Sequence, residues 1–127
     1  MPIKSSMISK EGGNLVVNGF QIINKAFDKG SVSGAVEIDW NKGNTQVITL
    51  TGATTLSFAN AEVNSFYTLI VIQDGSGGHT LAFPATSKAG GADLPLADGV
   101  NAVNMVTIHV QSAGVYLLSS VEDFQSL

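Results

Sequence analysis

The closest grouping of chemically competent side chains is the run Asp74-Gly75-Ser76-Gly77-Gly78-His79. A serine and a histidine in a glycine-rich loop could supply the nucleophile and the base of a hydrolase. A nucleophile needs a base within hydrogen-bond reach and a third group that orients the base. Ser76 and His79 fall within one turn, and neither GxSxG nor GDSGG occurs in the sequence. The run therefore predicts a non-catalytic hairpin turn, with Asp74 and His79 as candidate ligand contacts.

The carboxylates and histidines do not predict a metal site. A calcium loop needs oxygen ligands at alternate positions and a distal Glu, and Asp74, Asp93 and Asp98 lack that spacing. The two histidines, His79 and His109, have no Cys or clustered acid beside them. No P-loop and no GxGxxG after a predicted strand is present. We expect neither a metal nor a cofactor.

Two further features have both a chemical and a structural interpretation. Glu37 and Asp39 share one face of a predicted strand, and a glycosidase could use such a pair of carboxylates. Acidic side chains that face outward also protect a sheet edge from aggregation. Trp40, which ends that strand, could stack on a sugar, and is therefore a candidate ligand contact. A Trp on the apolar side of Val36 and Ile38 is also typical of a core.

Charge is sparse in this chain of 127 residues, which has 6 cations, 10 carboxylates and no Cys. The cations are all Lys, and from Gly43 onward Lys88 alone faces six carboxylates. Such a surface excludes a phosphate-tracking protein, so we expect no nucleic-acid partner. No apolar run approaches the ~18 residues of a membrane span, and we expect no membrane insertion. An uncharged Thr, Asn and Ala surface is instead easily desolvated against a copy of itself.

The pattern of short apolar runs and turn residues predicts an all-β fold, an antiparallel β-sandwich that is jelly-roll-like, with an extended N-terminal arm. Phe66 to Asp74 is predicted to be a central strand buried on both faces. Ala35 to Trp40 and Thr45 to Leu50 are predicted to be joined by a turn at residues 41–44. The expected organisation is an attachment arm at 1–30, a sandwich domain at 31–120 and a tail at 121–127.

The arm has one apolar patch, which is too small to fold alone. A frayed terminus with one edge strand and an arm that orders against another protein both remain open. The candidate attachment residues are Leu15, Val16, Val17, Phe20, Ile22 and Ile23.

Ala102 to Gln111 is predicted to be a second long strand with two different faces. Val106, Ile108 and Val110 form a core face. The opposite face is mixed, as is typical of a strand that meets another subunit. The candidate subunit-interface residues on that face are Val103, Met105, Thr107 and His109.

The order of four segments resembles the small β-domain of bacteriophage virion proteins found in fibres, receptor-binding proteins and capsid-decorating proteins. The segments are AVEIDWNKG, QVITLTGATTLSF, FYTLIVIQDGSGGHTLAFP and VTIHVQSAGVYLLSS. The resemblance implies a homotrimeric β-sandwich in the virion, with the N-terminal segment docked on a capsid or tail protein. The closing turn, SAG, lacks the usual acidic-Gly pair, and no collagen-like or coiled-coil shaft precedes the domain. These departures favour a short head fibre or decoration protein over a long tail fibre.

The resulting expectation is a non-enzymatic structural protein of the virion. The alternative is a carbohydrate-binding module that contacts a host surface glycan through Trp40 and the glycine-rich loops.

Overall fold

The structure is a computed structural model that describes residues 8–11, 14–17, 19, 23 and 25–127, and these residues form an all-β fold. No α-helix occurs among them, and none of their segments is a helix long and apolar enough to cross a membrane. Single turns of 3-10 helix lie at Trp40–Lys42 and Gly90–Ala92. The strands are β1 (Ile8–Glu11), β2 (Asn14–Val17), β3 (Phe27–Asp39), β4 (Thr45–Ala59), β5 (Phe66–Gln73), β6 (Leu81–Ala82), β7 (Ser87–Ala89), β8 (Val103–Ser112) and β9 (Val115–Val121).

The seven strands from β3 to β9 form a single mixed sheet in the order β3-β4-β5-β8-β9-β7, and β6 pairs with β4. Strands β1 and β2 form a separate antiparallel hairpin. The predicted all-β class is confirmed. The prediction that the strands are antiparallel is wrong for four pairs, because β3-β4, β4-β5, β4-β6 and β7-β9 are parallel.

The parallel pairs arise because the chain coils back over itself. If β3 were straight, its 13 residues would extend about 43 Å. The five residues between β3 and β4 must bring the chain from the end of β3 back to a position beside its start, and they span at most roughly 20 Å. Strand β3 must therefore bend, and it does so at the register shift between Val32 and Gly34, where Gly34 has φ 73°. Strand β4 turns beside it at residues 51–53, which β3 leaves unpaired. Each of these two strands thus has two limbs. The first limb of the sheet consists of residues 27–32 of β3 and 45–50 of β4, with β5, β8 and β9 beside them. The second limb consists of residues 34–39 of β3 and 54–59 of β4, with β6 beside them.

This coiling corrects the predicted hairpin between Ala35–Trp40 and Thr45–Leu50. Thr45–Leu50 pairs in parallel with residues 27–32 and 68–73, and Ala35 pairs with Thr55. Glycine and asparagine mark a tight hairpin and the corner of a coil equally well, since both need left-handed backbone. Local sequence signals alone could not separate the two.

The core lies between the limbs of the bent sheet. The first limb contributes buried rows that include Ile48, Leu69 and Ile108, and the second contributes Ile38 and Leu56. Burying each such side chain contributes about 1.5–3 kcal/mol. Strand β5 lies mid-sheet as predicted, between β4 and β8.

Only one face of β5 is fully covered, however. Tyr67, Leu69 and Val71 are buried, whereas Thr68 and Ile70 are half-buried. The prediction that β5 is covered on both faces is therefore wrong, because a single layer of core packs against it. A second surface of this sheet is left to solvent or to a partner.

Candidate subunit interface

The side of the first limb that points away from the core forms one continuous surface, which we call the outer face. Along β4, β5, β8 and β9, fully buried positions alternate with half-buried or exposed ones, and the latter define the face. Its members are Thr45, Val47, Thr49, Phe66, Thr68, Ile70, Ile72, Val103, Met105, Thr107, His109, Leu117, Ser119 and Val121.

The strand register arranges these side chains in rows across the sheet. Directly opposed residues on neighbouring strands have Cβ atoms about 4.5–5.5 Å apart, so the members of each row are in contact range. A hydroxyl row consists of Thr45, Thr68, Thr107 and Ser119. An aliphatic row beside it consists of Val47, Ile70, Met105 and Val121, and the outermost rows are Thr49-Ile72-Val103 and Phe66-His109-Leu117.

The outer face has no carboxylate and no ammonium group. Two charged residues flank it on the adjoining strands, where Asp28 of β3 pairs with Val47 and Lys88 of β7 pairs with Leu117. Several apolar side chains are nevertheless open to water, with Phe66 63 % and Val121 53 % exposed. A contiguous uncharged surface of this kind is typical of the interior of a protein–protein contact.

The candidate interface residues Val103, Met105, Thr107 and His109 all lie on this face, on one strand. Contact with another subunit remains a prediction for them. Sequence analysis did not identify their neighbours on β4, β5 and β9. The run Phe66–Gln73 is so uniformly apolar that it suggested a two-sided core, and only the threonine at position 68 hinted at an outward side.

Phe66 and His109 make the closest aromatic contact on the outer face. Their ring centroids are 4.5 Å apart and the rings are tilted by 43°. The Nδ1 atom of His109 is buried and has no hydrogen-bond partner within the described part of the chain. A buried polar atom without a partner costs free energy, and no described group of the chain offsets that cost at this position.

Trp40, the predicted stacking residue, lies in the core and is only 3 % exposed. Its ring stacks on Tyr67 at 4.5 Å and meets the edge of Phe58 at 5.5 Å. Both ring contacts are internal, which corrects the expectation that Trp40 contacts a ligand. The alternative interpretation, a core tryptophan, is the one that the structure supports.

Asp74 and His79, two of the candidate ligand contacts, are bonded to each other, with His79 Nε2 and Asp74 Oδ1 2.8 Å apart. Asp74 Oδ1 also accepts hydrogen bonds from the backbone N–H groups of Ser76 at 2.9 Å and Gly77 at 3.1 Å. These contacts hold the pKa of Asp74 below its ordinary value, the Ser76 N–H having the largest effect and the His79 side chain the next. The cluster is a hydrogen-bonded turn, but the prediction of a hairpin turn is wrong, because β6, the next strand, pairs in parallel with β4 and not with β5.

The same turn is hydrogen-bonded to the loop at residues 93–102, which precedes β8. The N–H of Gly78 donates to the carbonyl of Asp98 at 2.6 Å, and the N–H of Asn101 donates to the carbonyl of Asp74 at 3.0 Å. Gly77 has φ 66°, and a Cβ there would lie 2.8 Å from the backbone nitrogen of Val100. The arrangement therefore fixes a loop, and His79 pairs with Asp74 rather than with Ser76 within the described hydrogen bonds.

A cavity of about 250 Å³ lies between this turn and the loop, lined in part by Gln73, His79 and Asn104. The Gln73 side chain already bonds both backbone polar groups of His79, at 2.8 and 3.1 Å. The Asn104 side chain bonds both backbone polar groups of Ala97, at 2.8 and 3.0 Å. These two amides are committed to holding the loop, so they offer little to a ligand.

Of the two remaining acidic candidates, Asp39 has a structural role. Asp39 Oδ1 accepts hydrogen bonds from the Asn41 N–H at 3.0 Å and from Asn60 Nδ2 at 2.8 Å. These bonds lower the pKa of Asp39, with the Asn60 side chain as the largest cause. Glu37 is exposed on the sheet-edge strand β3. Across the described ranges, no group of three or more His, Asp or Glu residues could hold a metal ion.

Of the candidate attachment residues, Leu15, Val16 and Val17 lie in β2, and the backbone of β2 pairs with β1. Ile23 is 74 % exposed. Phe20 and Ile22 lie outside the described residues. The main sheet begins at Phe27, within the segment that was predicted to be the arm.

Comparison of the chain with protein-family models, curated proteins and solved structures found no match.

Proposed function

We propose that this protein is a non-enzymatic structural component of a bacteriophage virion that assembles as a homotrimer through its outer face. A short head fibre or a capsid-decorating protein is the favoured assignment, and a tail-fibre component is the next one. The observation that supports the assembly is the outer face, an uncharged surface on which Phe66, Leu117 and Val121 are 38–63 % exposed. The virion assignment comes from the sequence resemblance.

A second copy of the chain is the occupant that best suits this face. The face holds no charge, so two copies can meet without burying an unpaired ion, the costliest event at an interface. The hydroxyls of the Thr45-Thr68-Thr107-Ser119 row both donate and accept hydrogen bonds, so an identical row can satisfy them. The charges that flank the face, Asp28 and Lys88, have opposite signs and lie at opposite ends of the sheet.

The proposal also includes the architecture. The two limbs of the bent sheet enclose the core from two sides, and we take this arrangement to be the equivalent of the two layers of a sandwich. The outer face would then be the external surface of one layer, which is the surface that a sandwich presents to its neighbours.

The β1-β2 hairpin gives the attachment role its support. It is separate from the main sheet, and a two-stranded hairpin is at best marginally stable in water. We propose that this segment is completed by another virion protein of the capsid or tail. A carbohydrate-binding role has less support, because Trp40 is internal and Asp74 and His79 are bonded to each other.

The test is the mass of the protein in solution, measured by light scattering after size-exclusion chromatography. The chain has a mass of 13.1 kDa, so a trimer is expected at about three times that value. Thr107→Glu places a charge in the hydroxyl row and should yield monomers, because the carboxylate would be desolvated without a partner. The control is Ser57→Glu, since Ser57 is an exposed hydroxyl residue on the second limb of β4.

A wild-type protein that stays monomeric at high concentration would refute the assembly proposal. So would a Thr107→Glu variant that assembles as well as Ser57→Glu.

A further inference from the structure

We propose that Phe66 and His109 anchor one copy of the chain on the next, and that protonation of His109 releases the contact. The inference rests on the proposed function, because it requires the outer face to be covered by a second copy. It adds an anchor residue that the sequence did not reveal and an acid switch.

Phe66 is suited to the anchoring role by its exposure. At 63 % exposed it is the most exposed aromatic side chain among the described residues, although it lies within a regular strand. Aromatic side chains that leave water on association dominate the energetics of protein interfaces. The contact with the His109 ring holds Phe66 in place before association, which lowers the entropy cost of fixing it.

No carboxylate forms an ion pair with His109 within the described residues. Its neighbours across and along the strands are Phe66 and Thr68 on β5, Leu117 and Ser119 on β9, and Thr107 and Gln111 on β8, all uncharged. The next residue in its row is Lys88 on β7, two strands and about 10 Å away, with the same sign as an imidazolium. Glu62 precedes β5 and Glu122 follows β9, but the one ion pair in the described ranges joins His79 and Asp74.

The surroundings therefore make the covered state unfavourable for a protonated His109. When a second copy covers the ring, an imidazolium loses its water and meets neutral groups on every side, with Lys88 beyond. In the separated chain Nδ1 is already buried, but the ring as a whole is only half-buried, so covering it removes the water that remains around the imidazolium. The separated form thus binds the proton more tightly, and by linkage acid favours separation.

Histidine side chains in general change charge between about pH 5 and 8, and this range sets the two pH values of the test. Each tenfold difference in proton affinity between the two states weakens association by up to about tenfold per histidine. A trimer contains three copies of His109, so its association constant should fall by up to about a thousandfold for each such tenfold difference. The fraction of dissociated chains should therefore change steeply with pH.

The experiment compares the mass in solution at about pH 7.5 and about pH 5 for wild type, His109→Gln, Phe66→Ser and His79→Gln, all without a histidine tag. We expect wild type to be assembled at the higher pH and separated at the lower. His109→Gln should stay assembled at both values. His79→Gln, which changes the only other histidine, should behave like wild type, and Phe66→Ser should be separated at both.

The outcomes distinguish this inference from the proposed function. A wild type that is assembled at both pH values overturns the switch and leaves the homotrimer standing. A wild type that is monomeric at both overturns the homotrimer and the inference with it. Acid separation that persists in His109→Gln, or disappears in His79→Gln, overturns the role of His109. A folded His109→Gln variant that fails to assemble at about pH 7.5 contradicts the expected result and overturns the acid switch.

Discussion

Replacement of Gly77 by alanine should destabilise the protein far more than the same replacement one residue later. Both Gly77 and Gly78 have left-handed backbone, with φ 66° and 74°. An alanine in this conformation costs about 1 kcal/mol at either position. The Cβ at position 77, however, would lie 2.8 Å from the nitrogen of Val100 and 2.9 Å from the carbonyl oxygen of Asp98, whereas at position 78 it meets nothing within 4 Å.

The additional cost at position 77 can be worked out from what must move. The contacts are with backbone, which cannot rotate away, so the loop has to separate from the turn. That movement breaks the Gly78-to-Asp98 hydrogen bond and strains the one between Asn101 and Asp74, each of which contributes about 1 kcal/mol. We therefore expect Gly77→Ala to lower the free energy of unfolding by about 3 kcal/mol and Gly78→Ala by about 1 kcal/mol.

The assay is urea unfolding at one fixed protein concentration, because assembly makes the apparent stability depend on concentration. The m-values should agree between the two variants, so that the midpoints report stability. Equal losses for Gly77→Ala and Gly78→Ala would show that the turn does not clamp the loop as described.

Two further predictions concern side chains that hold the same loop in place. Asn104→Ala should lower the free energy of unfolding by about 3 kcal/mol, because Asn104 is fully buried and both polar backbone groups of Ala97 would lose their partner. Urea unfolding measures this change, and a loss under about 1 kcal/mol would contradict the prediction. The contribution of Asp74 should depend on pH, because its pKa is lower in the folded chain than in the unfolded chain. The stabilisation by Asp74 is complete at a pH above the pKa that its carboxyl has in the unfolded chain. It is lost as the pH falls through the lower pKa that the carboxyl has in the folded chain. Measured in the His109→Gln background to keep assembly constant, the stability difference from Asp74→Asn should be constant near neutral pH and should shrink below about pH 4; a difference that grows in acid would refute it.

The sequence predicted the two faces of β8, which depend on alternation within one strand. The division of β8 into a core face with Val106 and Ile108 and an outer face with Met105 and His109 follows directly from the period of two, and the structure has the same division. The pairing of Asp74 with His79 was not predicted, although residues at the two ends of a short glycine-rich turn lie close together.

The topology could not be predicted from the same signals. Whether Thr45–Leu50 returns beside the preceding strand or stacks on it one coil later depends on pairings some 20 residues apart, which no local pattern encodes. Trp40 was ambiguous for a related reason, since only the positions of Tyr67 and Phe58 decide that its ring is internal. The outer rows on β4 and β9 became a single surface only once the strand order was known.

Sedimentation equilibrium of the unmodified chain near neutral pH tests the central claim most directly, because it reports mass without reference to shape. The account predicts one species of three chains, each of 13.1 kDa, that persists on dilution. A single species of one chain at every concentration, with Phe66 and the rest of the outer face left in water, would contradict it.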